Sequence, residues 1–225
     1  MEQRSHDGSI PNHEKEFKIM KIVFASLGVL LLMAPLFAQE GIKEWNFDSD
    51  QTGSIARGFI NASGEWKVFA DSTAASLPNV LAQVAKNSGS TFNVTLVNGT
   101  LYKDLELSVK MKAIAGKEDQ GGGLIWRAKD AKNYYVARYN PLEDNYRLYK
   151  VEKGRRSQLK SADIKHKEGW HTLRVTMKGN LIQCYYDGQK YLEAKDNIFS
   201  GAGKIGLWTK ADAQTQFDDL TVQGQ

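Results

Sequence analysis

Three pairs of neighbouring carboxylates, Glu118 with Asp119, Glu143 with Asp144 and Asp218 with Asp219, are the residues of this 225-residue chain whose type suits acid–base chemistry. Glycoside hydrolysis needs two carboxyl groups facing each other across a cleft, about 5 Å apart for retention and up to about 9.5 Å for inversion. Residues adjacent along a strand point to opposite faces, and the first two pairs fall in turns, so none of the three is a ready acid–base couple. The sole cysteine, Cys184, alternates in phase with Ile182 and Tyr186 and reads as a core thiol. His171 shares a face with Leu173 and Val175, the pattern of a packed or edge histidine rather than a ligand.

A second constellation is basic and aromatic. Gly123, Ile125 and Arg127 share one face of a segment, Tyr134, Val136, Arg138 and Asn140 share a face of the next, and Lys110 lies with Glu106 and Ser108. If these faces belong to one side of one sheet, they form a basic concavity with an aromatic border. Paired strands lie about 4.8 Å apart, so Arg127 and Arg138 at level positions would present both guanidinium groups to one ligand. The competing reading has the long basic side chains solvating an outer sheet face, and the sequence weights the two equally. Trp126, Trp208, Tyr134, Tyr139 and Tyr149 are candidate platforms for the C–H face of a sugar ring; at least half of them are expected to be buried for packing alone.

The elements that must position these residues are strands. Beyond residue 39 the apolar period is close to 2, in short segments rich in Val, Tyr, Thr, Phe and Trp. Fourteen segments stand out: 42–47, 66–70, 80–85, 92–97, 105–113, 123–128, 134–140, 146–152, 157–161, 171–177, 181–186, 190–194, 204–209 and 216–222. Glu152-Lys153-Gly154, Lys178-Gly179-Asn180 and Asp187-Gly188 supply the left-handed residues that tight antiparallel reversals need. So many short strands are too many for one open sheet, and the pattern predicts an all-β, two-sheet antiparallel sandwich of jelly-roll type, with no helix longer than a turn or two.

The apolar run from Ile22 to Phe37 after Met20-Lys21 is shorter than the roughly twenty residues that span a bilayer and has the dimensions of an export signal, with Met20 as the start and cleavage after Ala38. A retained membrane anchor is the alternative. Residues 1–38 are therefore read as a non-domain extension and signal peptide, and residues 39–225 as a single sandwich domain held by core burial without an internal disulfide. The formal net charge of +4 comes without any dense basic run, which excludes a nucleic-acid surface.

Gly169-Trp170-His171-Thr172-Leu173-Arg174-Val175, Cys184-Tyr185-Tyr186-Asp187-Gly188, Gly203-Lys204-Ile205-Gly206-Leu207-Trp208-Thr209 and Phe217-Asp218-Asp219-Leu220 resemble, in order and spacing, the C-terminal half of concanavalin-A-like and laminin-G-like domains. Asp119-Gln120-Gly121-Gly122-Gly123-Leu124-Ile125-Trp126-Arg127 and Tyr134-Tyr135-Val136-Ala137-Arg138 are similar to the middle of the bacterial 3-keto-disaccharide hydrolase domain family. That family pattern implies an acid, an arginine, a polar amide and a histidine where this chain carries Lys110, Arg127, Arg138 and Lys210; only the arginine is retained. The general base and metal ligand of that pattern are therefore missing. The E-x-D-x-x-E spacing of laminarinase-like relatives is absent as well.

The resemblance implies a saccharide on the concave face, contacted by Lys110, Arg127, Tyr134, Arg138, Asn140, Trp208 and Lys210. It also implies a structural calcium ion near Asp218 and Asp219, with Asp48 contributing, against which stands the reading of these as turn or edge aspartates. The leading expectation is a periplasmic or secreted carbohydrate-binding domain with no nucleic-acid partner and no membrane contact after signal cleavage. The alternatives are a metal-assisted enzyme acting on 3-keto-glycosides or other glycosides, and a protein-binding adhesion module of laminin-G-like type.

Overall fold

The structure is a computed structural model that describes Met1, Glu2 and residues 41–225; the export-signal expectation lies outside the described residues. The strands are β1 Lys43–Trp45, β2 Phe59–Ser63, β3 Trp66–Ala70, β4 Asn79–Gln83, β5 Phe92–Val97, β6 Leu105–Ala115, β7 Gly122–Asp130, β8 Asn133–Asn140, β9 Asn145–Glu152, β10 Arg155–Asp163, β11 His171–Lys178, β12 Leu181–Tyr186, β13 Gln189–Lys195, β14 Lys204–Lys210 and β15 Gln214–Gly224. No helix occurs among the described residues, so none there is long and apolar enough to cross a membrane. One sheet runs β13-β12-β11-β6-β15-β4-β3, with β1 also paired to β15, and the other runs β10-β9-β8-β7-β14-β5-β2. The pairings are antiparallel, as the hairpin signals predict.

The turns form where the sequence supplies left-handed residues: Lys153 and Gly154 have φ of 50° and 79°, Asp187 and Gly188 of 47° and 82°. Fourteen of the strands coincide with predicted segments, and β2 is the addition. Its pattern, one buried residue followed by three exposed ones, lacks alternation because it is an edge strand paired on one side with β5.

The two sheets enclose one core. Leu105, Leu107, Val109 and Met111 of β6 and Leu173, Val175 and Met177 of β11 meet Leu124 and Trp126 of β7 and Tyr135, Ala137 and Tyr139 of β8. Trp126 donates its indole N–H to the Met177 sulfur across the sandwich at 2.9 Å. Cys184 is buried in this core, where desolvation pushes its thiol far above the usual range and leaves it unreactive. His171 is nearly buried, stacked on Tyr186, with its ring nitrogens against Asp187 and the Lys167 carbonyl.

The seven-stranded sheet is unusual in having a second apolar cluster on its other face, made by Val94, Leu96, Ile125, Tyr134, Val136, Tyr149, Val151 and Trp208. Strands buried on both faces read as nearly continuous apolar runs, which is the burial pattern of β7 and β8. Gly123 is required at the centre: a Cβ there would collide with the Ala137 carbonyl oxygen of β8.

Candidate functional site

Strand register assembles a row across the outer face of the seven-stranded sheet. Trp208 of β14 lies opposite Gly123 of β7, Gly123 opposite Arg138 of β8, and Arg138 opposite Arg147 of β9. The face is concave. Arg156 of β10 stands 4.3 Å from the Tyr149 ring, 5.7 Å from Trp208 and 5.6 Å from Phe92 of β5. In a flat sheet β10 and β5 would lie about 24 Å apart, far beyond an arginine's reach, so the sheet must curl toward this side.

Within the concavity, Asp119 is the hub. Its carboxylate accepts from Asn140 Nδ2 at 2.9 Å and Lys210 Nζ at 3.2 Å, and lies 3.9 Å from Arg138 Nη1. Arg138 Nη2 donates to Glu143 at 3.2 Å, and Glu143 also accepts from Arg147 at 2.9 Å and from Asn145 Nδ2 at 2.9 Å. Burial alone would raise the Glu143 carboxyl, but the Asn145 donor and the two guanidinium charges outweigh it and hold the carboxyl below its ordinary value. The Asp119 loop is fixed from a distance, since Asp212 accepts the backbone N–H groups of Lys117, Glu118 and Asp119. Burial lowers the Arg156 guanidinium, and nearby Arg138 lowers it further.

The network is incompletely paired. Arg138 is 1% exposed, yet its Nε and Nη1 have no hydrogen-bond partner; the same holds for Arg156 Nη1 and for the acceptor Asn145 Oδ1. Native proteins pair the great majority of such buried atoms, so a cluster of four in one concavity needs an explanation.

Of the residues expected at this face, Tyr134, Arg138, Asn140, Trp208 and Lys210 are here. Trp208 donates to the Tyr134 hydroxyl and both are buried, so they form its packed floor rather than open stacking platforms. All five candidate aromatics are in fact buried. Two residues are elsewhere. Lys110 projects from β6 in the opposite sheet, where it bonds Thr172. Arg127 is not level with Arg138: the register puts it four residues beyond Gly123, roughly 13 Å along the strand and past a bulge, with φ at 46°. Its guanidinium is spent on the carbonyls of Lys103, Phe199 and Gly179 and on the Asp104 carboxylate. It ties loops together.

The expected calcium ligands do not form a set. Asp218 is buried and accepts from the Ser76 amide and hydroxyl and from the Asp219 amide, while Asp48 accepts from the Asn79 amide. Among the described residues no three acidic, histidine or cysteine side chains converge as a metal site.

A sandwich of two antiparallel sheets, one of them curled, is the concanavalin-A-like jelly roll. Residues 35–223 match the 3-keto-alpha-glucoside-1,2-lyase-like domain, and the chain belongs to that family. It is 26% identical over 144 residues to the levanase of Bacillus subtilis, an alignment covering 61% of this chain and 20% of that protein, so the chain spans about a fifth of that relative's length. Among solved structures it superposes on the carbohydrate-binding module CBM66 from Bacillus subtilis with a TM-score of 0.63 at 22% identity, over 74% of this chain and 96% of that one. The Bacillus licheniformis beta-glucanase superposes with a TM-score of 0.54 at 14% identity, over 83% and 99% of the two chains. These likenesses to solved structures establish the fold.

Proposed function

We propose that this protein is an exported carbohydrate-interacting domain that binds a saccharide in the concavity around Arg138. One observation carries the reading: unpaired donors on Arg138 and Arg156 and an unpaired acceptor on Asn145 sit in one network. A sugar hydroxyl is both donor and acceptor and can satisfy both kinds of orphan, whereas a simple anion cannot. The likeness to a levanase and to a carbohydrate-binding module supports the same ligand class. Binding of the full-length chain to a glycan array, compared with Arg138→Met and Asp119→Asn, tests it. Each charge-assisted hydrogen bond is worth about 1.5–3 kcal/mol, so each variant should weaken binding about 10-fold to 150-fold. Unchanged binding in both variants would remove the site.

A second reading, action on 3-keto-glycosides, is favoured by the family match and by two carboxylates, Asp119 and Glu143, flanking different nitrogens of Arg138. Turnover of a 3-keto-disaccharide by the full-length chain is the outcome that binding alone does not give, and its absence would refute this second reading. For export, the mature N-terminus recovered outside the cytoplasm should begin near Gln39.

A further inference from the structure

The charges of the concavity do not balance. Four cationic side chains stand there, Arg138, Arg147, Arg156 and Lys210, against the carboxylates of Asp119 and Glu143. Arg138 and Arg147 share Glu143, and Lys210 takes Asp119, which also lies 3.9 Å from Arg138. Arg156 forms no ion pair among the described residues. Asp163, level with Asn145 at the sheet edge, is exposed to solvent, and counting it still leaves a positive charge in excess.

Aromatic carbon surrounds Arg156 instead. Its guanidinium carbon stands 4.3 Å from the centre of the Tyr149 ring, 5.6 Å from that of Phe92 and 5.7 Å from that of Trp208. Such rings attract a cation but do not replace an oxygen acceptor, and Nη1 is buried with no hydrogen-bond partner. Burial and the neighbouring Arg138 both work against the charge. An apolar side chain would cover the Tyr149 and Trp208 rings without that penalty. Guarding the edge of the sheet does not require this arginine either, because the exposed Arg155 and Lys160 already charge β10. A neutral hydroxyl would accept from Nη1 and leave the charge unanswered; a carboxylate does both. Hydroxyls are still needed, since the unpaired Asn145 Oδ1 in the same network calls for a donor that a bare anion lacks.

We infer that the saccharide taken by the concave face is an acidic one, a uronate, whose carboxylate accepts from Arg156 while a ring hydroxyl donates to Asn145. The inference rests on the concave face being the saccharide site and narrows its ligand class. Arg138 and its carboxylates hold the sugar ring; Arg156 selects for the charge.

The test is calorimetric titration of the full-length chain, at physiological salt, with oligosaccharides of glucuronate, galacturonate and mannuronate and with the methyl ester of each. Esterification removes the charge and keeps the ring. At least one uronate should bind about tenfold or more tighter than its ester, the difference between a charge-assisted and a neutral hydrogen bond. In Arg156→Gln the acid-to-ester ratio should fall to near one. Lys190→Gln, an exposed lysine of the other sheet, should keep the native ratio, and a fall there would reveal unspecific attraction to a basic protein and overturn the inference. Acid and ester binding equally well, with both lost in Arg138→Met, would overturn the acidic ligand and leave the concave saccharide site standing. So would a native acid-to-ester ratio in Arg156→Gln. Failure of every uronate while a neutral glycan binds refutes the inference alone, and failure of all saccharides removes the site together with it. Should Arg156→Gln fail to fold, the acid-to-ester ratio of the native chain decides, and a ratio near one overturns the inference.

Discussion

Replacing Arg127 by methionine, which keeps length and apolar bulk, should destabilise the protein without touching sugar recognition. The side chain is 1% exposed and donates to three main-chain carbonyls, from Lys103, Phe199 and Gly179, as well as to Asp104. Those carbonyls belong to segments far apart in sequence, so the guanidinium joins the approach to β6, the β11–β12 turn and the loop before β14. Asp104 is 27% exposed and keeps the Gly179 amide as a donor, so water relieves part of its loss. The carbonyls gain less relief. Breaking one partner of a buried charged network typically costs about 3–5 kcal/mol. For a chain of this length each kcal/mol moves the melting temperature by about 2–4 °C, giving a fall of roughly 6–20 °C. Melts followed by far-ultraviolet circular dichroism measure this directly. A native melting temperature combined with lost saccharide binding would refute the reasoning and return Arg127 to the ligand site.

Two further outcomes follow from buried groups. Burial pushes the Asp218 carboxyl up to about 6, so the folded state holds its proton more tightly than the unfolded state, and this group's contribution to stability falls as pH rises from about 4 through 6. The change is on the order of 3 kcal/mol, and should appear as a pH-dependent stability difference between the native protein and Asp218→Asn in urea titrations at pH 4 to 7; a constant difference contradicts it. Cys184, fully buried, should react with a thiol reagent only at the rate of unfolding, so rapid labelling of the native protein would disprove its place in the core.

Much of the fold was legible because local chemistry dictated it. In β11 the alternation of His171, Leu173, Val175 and Met177 with polar residues matches its burial pattern residue for residue. The turns at Lys153-Gly154 and Asp187-Gly188 announced themselves through residues that tolerate positive φ. The same period of 2 placed Tyr134, Arg138 and Asn140 on one face, and applied to β9 it would have added Asn145, Arg147 and Tyr149. Asp119 gave no such signal: it is a turn residue, brought to the centre of the network by a clamp from Asp212, 93 positions further along the chain.

Alternation fixes the side of a strand on which a residue lies, but neither the sheet that strand joins nor its register. Strands β6 and β7 are consecutive, yet β6 pairs with β11 and β15 while β7 pairs with β8 and β14. Lys110 and Arg138 therefore lie on opposite outer surfaces of the sandwich, although each points away from the core of its own sheet. Register displaced Arg127 in turn, since the bulge after Trp126 rotates the chain so that its side chain leaves the face that Gly123 and Ile125 define. What remains on the concave face is a smaller candidate site than the alternation suggested, centred on one arginine. It is held by carboxylates from two loops, Asp119 and Glu143, and loops are where a sandwich of this kind can change its ligand while its strands stay in place.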